Sequence, residues 1–310
     1  MSKLINVGSL CIDYVYTVPS LVCSGETLAS SRREVFPGGK GLNQSIAAAE
    51  AGCEVQHVGN IGPDGADLVA CLAERGVNTE RIARTATPTG HAFIQVDLTG
   101  QNAIIIHGGS NRILEPHQWN DSFAEAQPGD LLLLQHETNA IDQIIRDASA
   151  RDLRIAINLA PADESVRALP IELTDVLIVN EAEAMALSGD SSSEAAFATL
   201  SDRFPRTTVV MTLGREGLHY AAPTSEGSTS GFLPAFQVDS VDETAAGDAF
   251  VGYFMANLVS GTSLETALLY GAAAGALAVT KEGAAPSIPS LKEVAQLTSS
   301  ESAPSIEAKN

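Results

Sequence analysis

A chain of 310 residues, 45% of them hydrophobic, can bury one large core, and its 38 acidic against 18 basic side chains give a net charge of −20. That field repels a nucleic-acid backbone and argues against a DNA- or RNA-binding role. No apolar run reaches the ~20 residues of a membrane span, and Gly8 interrupts the short apolar stretch at the N-terminus, unlike a signal peptide, so a soluble cytoplasmic protein is expected. Cys11, Cys23, Cys53 and Cys71 form no C-x-x-C pair and are expected as reduced thiols.

In chain order, residues 4–10 read as a buried strand ending beside Cys11 and Asp13. Residues 14–18 and 27–35 read as paired strands. Gly38-Gly39-Lys40-Gly41-Leu42-Asn43-Gln44 then opens a small-residue helix over 45–51. Further strands are expected at 55–60, 131–135, 155–159, 176–179 and 208–213. Helices are expected at 66–75, 140–151, 181–187, 194–204, 250–258 and 264–280. Apolar strands alternating with helices predict a doubly wound α/β fold, a mostly parallel sheet with helices on both faces. Residues 90–97 and 102–107 read as a hairpin around Thr99-Gly100-Gln101. With the strands at 14–18 and 27–35 they form a small second sheet, a lid spanning about 11–36 and 90–108. A single domain over 1–298 follows, and the Ser-, Glu- and Lys-rich residues 299–310 are expected to be a disordered tail.

The strongest chemical signal is Asp242-Glu243-Thr244-Ala245-Ala246-Gly247-Asp248-Ala249-Phe250, where a loop becomes a helix. The first turn of a helix presents unpaired N–H groups and a partly positive end, which binds phosphate oxygens. Ala245, Ala246 and Gly247 let an anion approach the backbone. Asp248 either takes a proton from an attacking hydroxyl or merely caps the helix. Other polar residues fall at strand ends, where open parallel sheets bind ligands: Asp13, Glu137, Asn158, Asn180, Glu183 and Gly214. Asn180 and Glu183 suit a hydrated Mg²⁺, or simply an acidic helix start. Lys40 and Asn43 supply donors on a glycine-rich turn whose spacing fits neither the dinucleotide fingerprint nor the P-loop. No histidine pairs with a serine or cysteine as a nucleophile would require.

Together these motifs resemble the ribokinase family of carbohydrate kinases, from about Asn6 to Pro289. Residues 38–44 and 242–250 match its two signatures, and Asn180-x-x-Glu183, Leu213-Gly214-x-x-Gly217 and Gly283-x-x-Pro286-Ser287 match further positions. The resemblance implies an ATP-dependent sugar kinase. Asp248 is then the general base, and the backbone of Ala245, Ala246 and Gly247 the anion hole. Asp13, Gly39, Lys40, Asn43 and Glu137 hold the sugar. Asn180, Gly214, Gly217 and Gly247 meet ATP, and Glu183 meets Mg²⁺ through water. A K⁺ ion is implied at Asp242, the carbonyls of Thr244, Ala278, Lys281 and Gly283, and Ser287. A homodimer through the lid is implied by analogy. A nucleoside kinase and a non-catalytic sugar-binding relative are the competing readings. Four positions depart from the pattern: Cys11 stands where ribokinases usually carry Asn, Glu243 where Thr is frequent, Ala245 where many relatives have Gly, and Ala272 where a polar residue often meets adenine.

Overall fold

The computed structural model describes residues 2–301 and 303–309. The chain begins with β1 (Lys3–Val7), crosses to β2 (Cys11–Thr17) and β3 (Arg32–Gly38), then enters α1 (Lys40–Glu50) and β4 (Glu54–Ile61). Next come α2 (Ala66–Glu74), β5 (Asn78–Arg84), the hairpin β6 (Gly90–Val96) and β7 (Asn102–His107), and α3 (Pro116–Ala124). The middle of the chain alternates β8 (Leu131–Gln135), α4 (Ile141–Ser149), β9 (Arg154–Asn158) and β10 (Val176–Asn180). It continues through α5 (Glu181–Ser188), α6 (Ser193–Arg203) and β11 (Thr208–Thr212) to the hairpin β12 (Gly217–Thr224) and β13 (Gly227–Pro234). It ends with α7 (Ala246–Ser260), α8 (Leu264–Ala278), α9 (Leu291–Thr298) and β14 (Glu307–Lys309).

The large sheet has ten strands in the order β14-β13-β12-β11-β10-β9-β8-β1-β4-β5. Pairing is parallel from β5 to β11 and antiparallel from β11 to β14. Side chains alternate across a strand, and the apolar strands fill both faces at once. Leu131 and Leu133 join one core with Leu42 and Ile46 of α1 and Phe250 and Phe254 of α7. Leu132 and Leu134 join the other, with Trp119 of α3 and Ile144 and Ile145 of α4. The chain leaves β1 toward β4 on one side and reaches β8 on the other, so the strand order reverses beside β1. The crevice at the carboxyl ends of the strands opens at that reversal.

The lid is a separate four-stranded sheet, β3-β2-β6-β7, as the pattern predicts. Its middle pair, β2 and β6, is parallel. Strands β5 and β13 and helix α3 escape the periodicity. β5 (Asn-Thr-Glu-Arg-Ile-Ala-Arg) is an edge strand whose polar residues suit one solvated side. α3 starts at Pro116 behind a reciprocal cap between Glu115 and Gln118. The expected disordered tail differs too. Glu307–Lys309 extends the sheet against β13, while Ala303 and Ile306 pack on the first core and hold the segment down; Ser302 and Asn310 lie outside the described residues. Among the described residues no helix is long and apolar enough to cross a membrane.

One packing contact positions the site. Helices α1 and α7 meet so closely that a Cβ on Gly252 would stand 2.3 Å from Ala47 Cβ and 2.7 Å from the Ala48 nitrogen. Replacing a mid-helix glycine ordinarily gains up to about 1 kcal/mol in helix propensity. Here Gly252→Val should instead destabilise the protein by about 2–3 kcal/mol, because two backbones must separate. Chemical unfolding measures it, and an unchanged midpoint would show that the contact costs nothing to widen.

Candidate active site

Helices α1 and α7 both start without a side-chain cap from their own N-cap residue. The first N–H groups of α1 are taken up by Glu137 and Ser9, and the Ala246 N–H of α7 donates to the Glu243 carbonyl at 3.3 Å, while Ala245 and Gly247 at the start of α7 line the crevice. Ala245, immediately before α7, adopts a left-handed conformation at φ 60°. A left-handed residue followed by helical ones turns successive N–H groups toward one point, a concavity suited to an anion. Space beside Gly247 is open, since a Cβ there would meet nothing within 4 Å. These residues border a cavity of about 200 Å³ that also reaches Lys40, Asn158, Asn180, Glu183, Thr212 and Asp248.

Asp248 does not cap its own helix. Its carboxylate, 7% exposed, turns to α1, where Asn43 Nδ2 donates to Oδ2 and Gln44 Nε2 to Oδ1, each at 2.9 Å. Asn43 Oδ1 is buried and lacks a partner among the described residues, leaving one strong acceptor beside the carboxylate. Lys40 lies among three carboxylates: Asp248, followed by Glu137 and Glu183, holds its ammonium above the usual lysine range despite burial. A permanently charged lysine therefore stands at the cavity wall inside a strongly acidic protein.

The acceptor side is built from β1, the lid and the turn after β8. The Asp13 side chain on β2 fits only because Gly38, its diagonal neighbour on β3, has no Cβ; one there would lie 2.1 Å from Asp13 Oδ2. Burial, reinforced by the charges of Glu137 and Asp248, raises the Asp13 carboxyl to about 7. Glu137 accepts hydrogen bonds from the Ser9 hydroxyl and, at 3.1 Å, from the Lys40 backbone N–H. It thus fixes the start of α1, where a carboxylate complements the helix dipole. Ser9 also accepts from the Gly41 N–H at 3.2 Å. Cys11 is buried under Asn111, whose amide donates to Sγ at 3.5 Å and clasps the Leu10 backbone at both N–H and C=O. Burial, then Glu137 and Asp13, pushes the Cys11 thiol well up, so it stays neutral.

On the other side, Asn180 and Glu183 form a reciprocal cap. Asn180 Oδ1 accepts from the Glu183 N–H at 2.9 Å, and Glu183 Oε2 accepts from the Asn180 N–H at 2.8 Å. The helix-start reading of this pair is realised, and both residues still line the cavity. Burial raises the Glu183 carboxyl above its usual range. The two glycines of the turn after β11 differ. Gly217, at φ 127°, is forced by the neighbouring strand, since a Cβ would lie 2.1 Å from the Leu233 carbonyl; Gly214 faces open space. Neither is among the cavity-lining residues. Arg215 in the same turn pairs with Glu243 at 2.9 Å, so the residue standing in place of Thr ties that turn to the loop before α7.

The expected cation ligands converge in part. Asp242 Oδ2 accepts from the Gly283 N–H at 2.9 Å, and Oδ1 from the Thr244 hydroxyl at 2.6 Å and its N–H at 2.9 Å. Burial alone would raise this carboxyl, but those hydrogen bonds outweigh it and hold it below the usual range, fully ionised. The N–H groups of Val241 and Asp242 both reach the Val279 carbonyl, and Lys281 N–H bonds to the Ala278 carbonyl at 3.1 Å. The Ser287 hydroxyl donates to the Ala284 carbonyl at 2.8 Å.

The sequence pattern of the pfkB family carbohydrate kinases matches residues 1–291. The chain belongs to this family. A ribokinase from Haemophilus influenzae is 34% identical over 303 residues, 94% of this chain and 97% of the relative. The crystal structure of a ribokinase from Thermotoga maritima superposes with a TM-score of 0.84 at 33% identity, covering 96% of this chain and 99% of the other. An Arabidopsis thaliana ribokinase complexed with ribose and ATP gives 0.82 at 28% identity, covering 97% and 100%. As a pfkB carbohydrate kinase the chain is a sugar kinase, a phosphotransferase with an alcohol acceptor.

Sequence reasoning missed Ser9, Gln44, Gln135 and Arg215. Gln44 was visible as a polar residue inside an otherwise small and apolar helix, beside Asn43. Asp13 yields a pH prediction. Its carboxyl sits at about 7 in the folded protein against an ordinary 3.8, so between those values the folded state binds the extra proton. Stability should therefore fall as pH rises from about 4 through 7 and level off above that. Asp13→Asn should gain stability over the parent as pH rises across this window, measured by urea unfolding at pH 5 and pH 8. An equal difference at both pH values would show an ordinary Asp13.

Proposed function

We propose that this pfkB kinase transfers the γ-phosphoryl group of ATP to a hydroxyl of an unphosphorylated sugar, D-ribose or a close relative, in the cytoplasm. One observation carries the reading: the Asp248 carboxylate, gripped by Asn43 and Gln44, stands at the open N-terminus of α7 inside the cavity. Asp248 accepts the proton of the attacking hydroxyl. The N–H groups of Ala245, Ala246 and Gly247 take up the charge that develops on the transferring phosphoryl oxygens. Asp13, Glu137 and the orphaned Asn43 Oδ1 accept hydrogen bonds from sugar hydroxyls, while Lys40 and the backbone at Gly39 orient the acceptor. Asn180, Gly214, Gly217 and Gly247 border the nucleotide.

Among the described residues no three His, Cys, Asp or Glu side chains gather as a metal cage. A hydrated Mg²⁺ shared with phosphates needs no such cage, and Glu183, with one carboxylate oxygen outside its reciprocal cap, fits as a ligand through water. Mg²⁺ held there would offset the negative charge of the phosphates. The ionised Asp242 against a carbonyl-rich turn fits K⁺, with the carbonyls of Thr244, Ala278, Lys281 and Gly283 and the Ser287 hydroxyl completing the set. K⁺ would order the loop that presents the anion hole. The lid also leaves Ile104, Ile105 and Ile106 exposed, which supports pairing of two lids in a homodimer.

A nucleoside acceptor is less well served. Tyr14 points to the opposite lid face from its neighbour Asp13 and stacks on Phe93 at 5.4 Å, with Arg33 over its ring. These aromatics line a different cavity, with Tyr16, Asp64, Pro88 and His91. The reading predicts saturable ADP release with ATP, Mg²⁺ and K⁺ in a panel of free sugars, polyols and nucleosides, with a pentose among the best acceptors. Sugar binding without turnover across the panel would overturn it in favour of a non-catalytic protein. Asp248→Asn should lower kcat by ~10²-fold or more with sugar affinity retained, and near-normal turnover would remove Asp248 as the base.

A further inference from the structure

Behind Asp248 a chain of buried polar side chains runs through the apolar core. Gln44 Nε2 donates at 2.9 Å to both Asp248 Oδ1 and Asn158 Oδ1. Gln135 Nε2 donates to Gln44 Oε1 at 2.8 Å and to Asn6 Oδ1 at 3.0 Å. Asn6 Nδ2 donates to Ser45 Oγ at 2.8 Å and to the Gly41 carbonyl at 2.9 Å. Ser45 Oγ lies 2.8 Å from His57 Nδ1. Asn6, Gln44, Ser45 and His57 are wholly buried, and Gln135 is 1% exposed.

The direction of the amide bonds follows from the carboxylate end. An ionised carboxylate only accepts, so Gln44 must present its amino group, and its carbonyl must then receive Gln135. Gln135 is the hub, with one N–H directed along each branch. Ser45 receives Asn6, which leaves its single proton free to go to a neutral His57 Nδ1 at 2.8 Å. Burial holds that imidazole down to about 4, neutral, which suits an acceptor. A buried polar chain costs desolvation that apolar side chains of equal volume would avoid, and among the described residues Gln135 Oε1 and His57 Nε2 have no partner. Its return is geometric. Rotation of a carboxylate about its last bond is soft, and one donor on each oxygen fixes its plane.

We infer that Gln44 and Gln135 are positioning residues, locking the carboxylate plane of Asp248 toward the acceptor hydroxyl through a unidirectional chain anchored at His57. This rests on Asp248 being the base. The test is kcat and sugar KM for Gln44→Met, Gln135→Met and the double variant, beside Asp248→Asn. Gln44→Met should lower kcat by about tenfold or more with KM held, and Gln135→Met by less. The double variant should be no slower than Gln44→Met alone, because Gln135 acts only through Gln44. ¹⁵N NMR should show His57 protonated at Nε2, with the Nδ1 signal moving in Ser45→Ala. Additive losses, or a KM rise without a kcat loss, would reduce the chain to packing. Full turnover in Asp248→Asn would refute the base itself, whereas an inactive Asp248→Asn beside a fully active Gln44→Met would refute only the positioning role. If Gln44→Met does not fold, Gln135→Met, one residue removed from the carboxylate, decides by the same split between kcat and KM.

Discussion

The close approach of α1 to α7 is the constraint on which the rest of the molecule depends. With hydrogen rather than a side chain at Gly252, the two helices pack backbone to backbone against Ala47 and Ala48. Their starts then open on the same crevice, with Asn43 and Gln44 of one helix against Asp248 of the other. A bulkier contact would push the carboxylate away from both amides. Helices usually keep 8–10 Å between axes, and small residues at the crossing allow the lower end. Glu137 and Ser9 pin α1 from the opposite side, so its first turn is held from two directions.

Charge is managed locally against the global sign. The protein is acidic overall, yet the crevice offers the positive start of α7 and the Lys40 ammonium, the start of α1 being already met by Glu137. The carboxylates around Lys40 keep it charged, while burial, reinforced by the neighbouring carboxylates, raises Asp13. The Asp248 and Glu137 carboxylates thus act on both Lys40 and Asp13.

Much of this was legible in the sequence. Apolar strands such as Leu131–Gln135 and Ile141, Ile144, Ile145 and Ala148 along α4 declare their buried faces by period alone. The lid strands and the loop before Asp248 were likewise readable, because glycine and small residues fall where backbone geometry requires them. Strand β5 was hidden because an edge strand needs few apolar residues, and β14 because its support comes from Ala303 and Ile306 rather than from its own composition. At the site, residue types were visible but partners were not. Asn180 and Glu183 bond to each other, Glu243 bonds to Arg215, and Gln44 reaches Asp248; these are facts of distance, and spacing carries no trace of them.

Asn43 and Asp248, which meet at the crevice at 2.9 Å, are 205 positions apart in the chain. A ribosome therefore releases the first half of the crevice long before the second half exists. The amides of Asn43 and Gln44 emerge early, on a helix whose partner α7 follows only after β13. Until then the face of α1 that will meet Gly252 is uncovered and its amides are open to water. A chain cut short before residue 246 can carry the whole lid and every parallel strand of the large sheet, yet it lacks the one carboxylate around which the crevice is arranged.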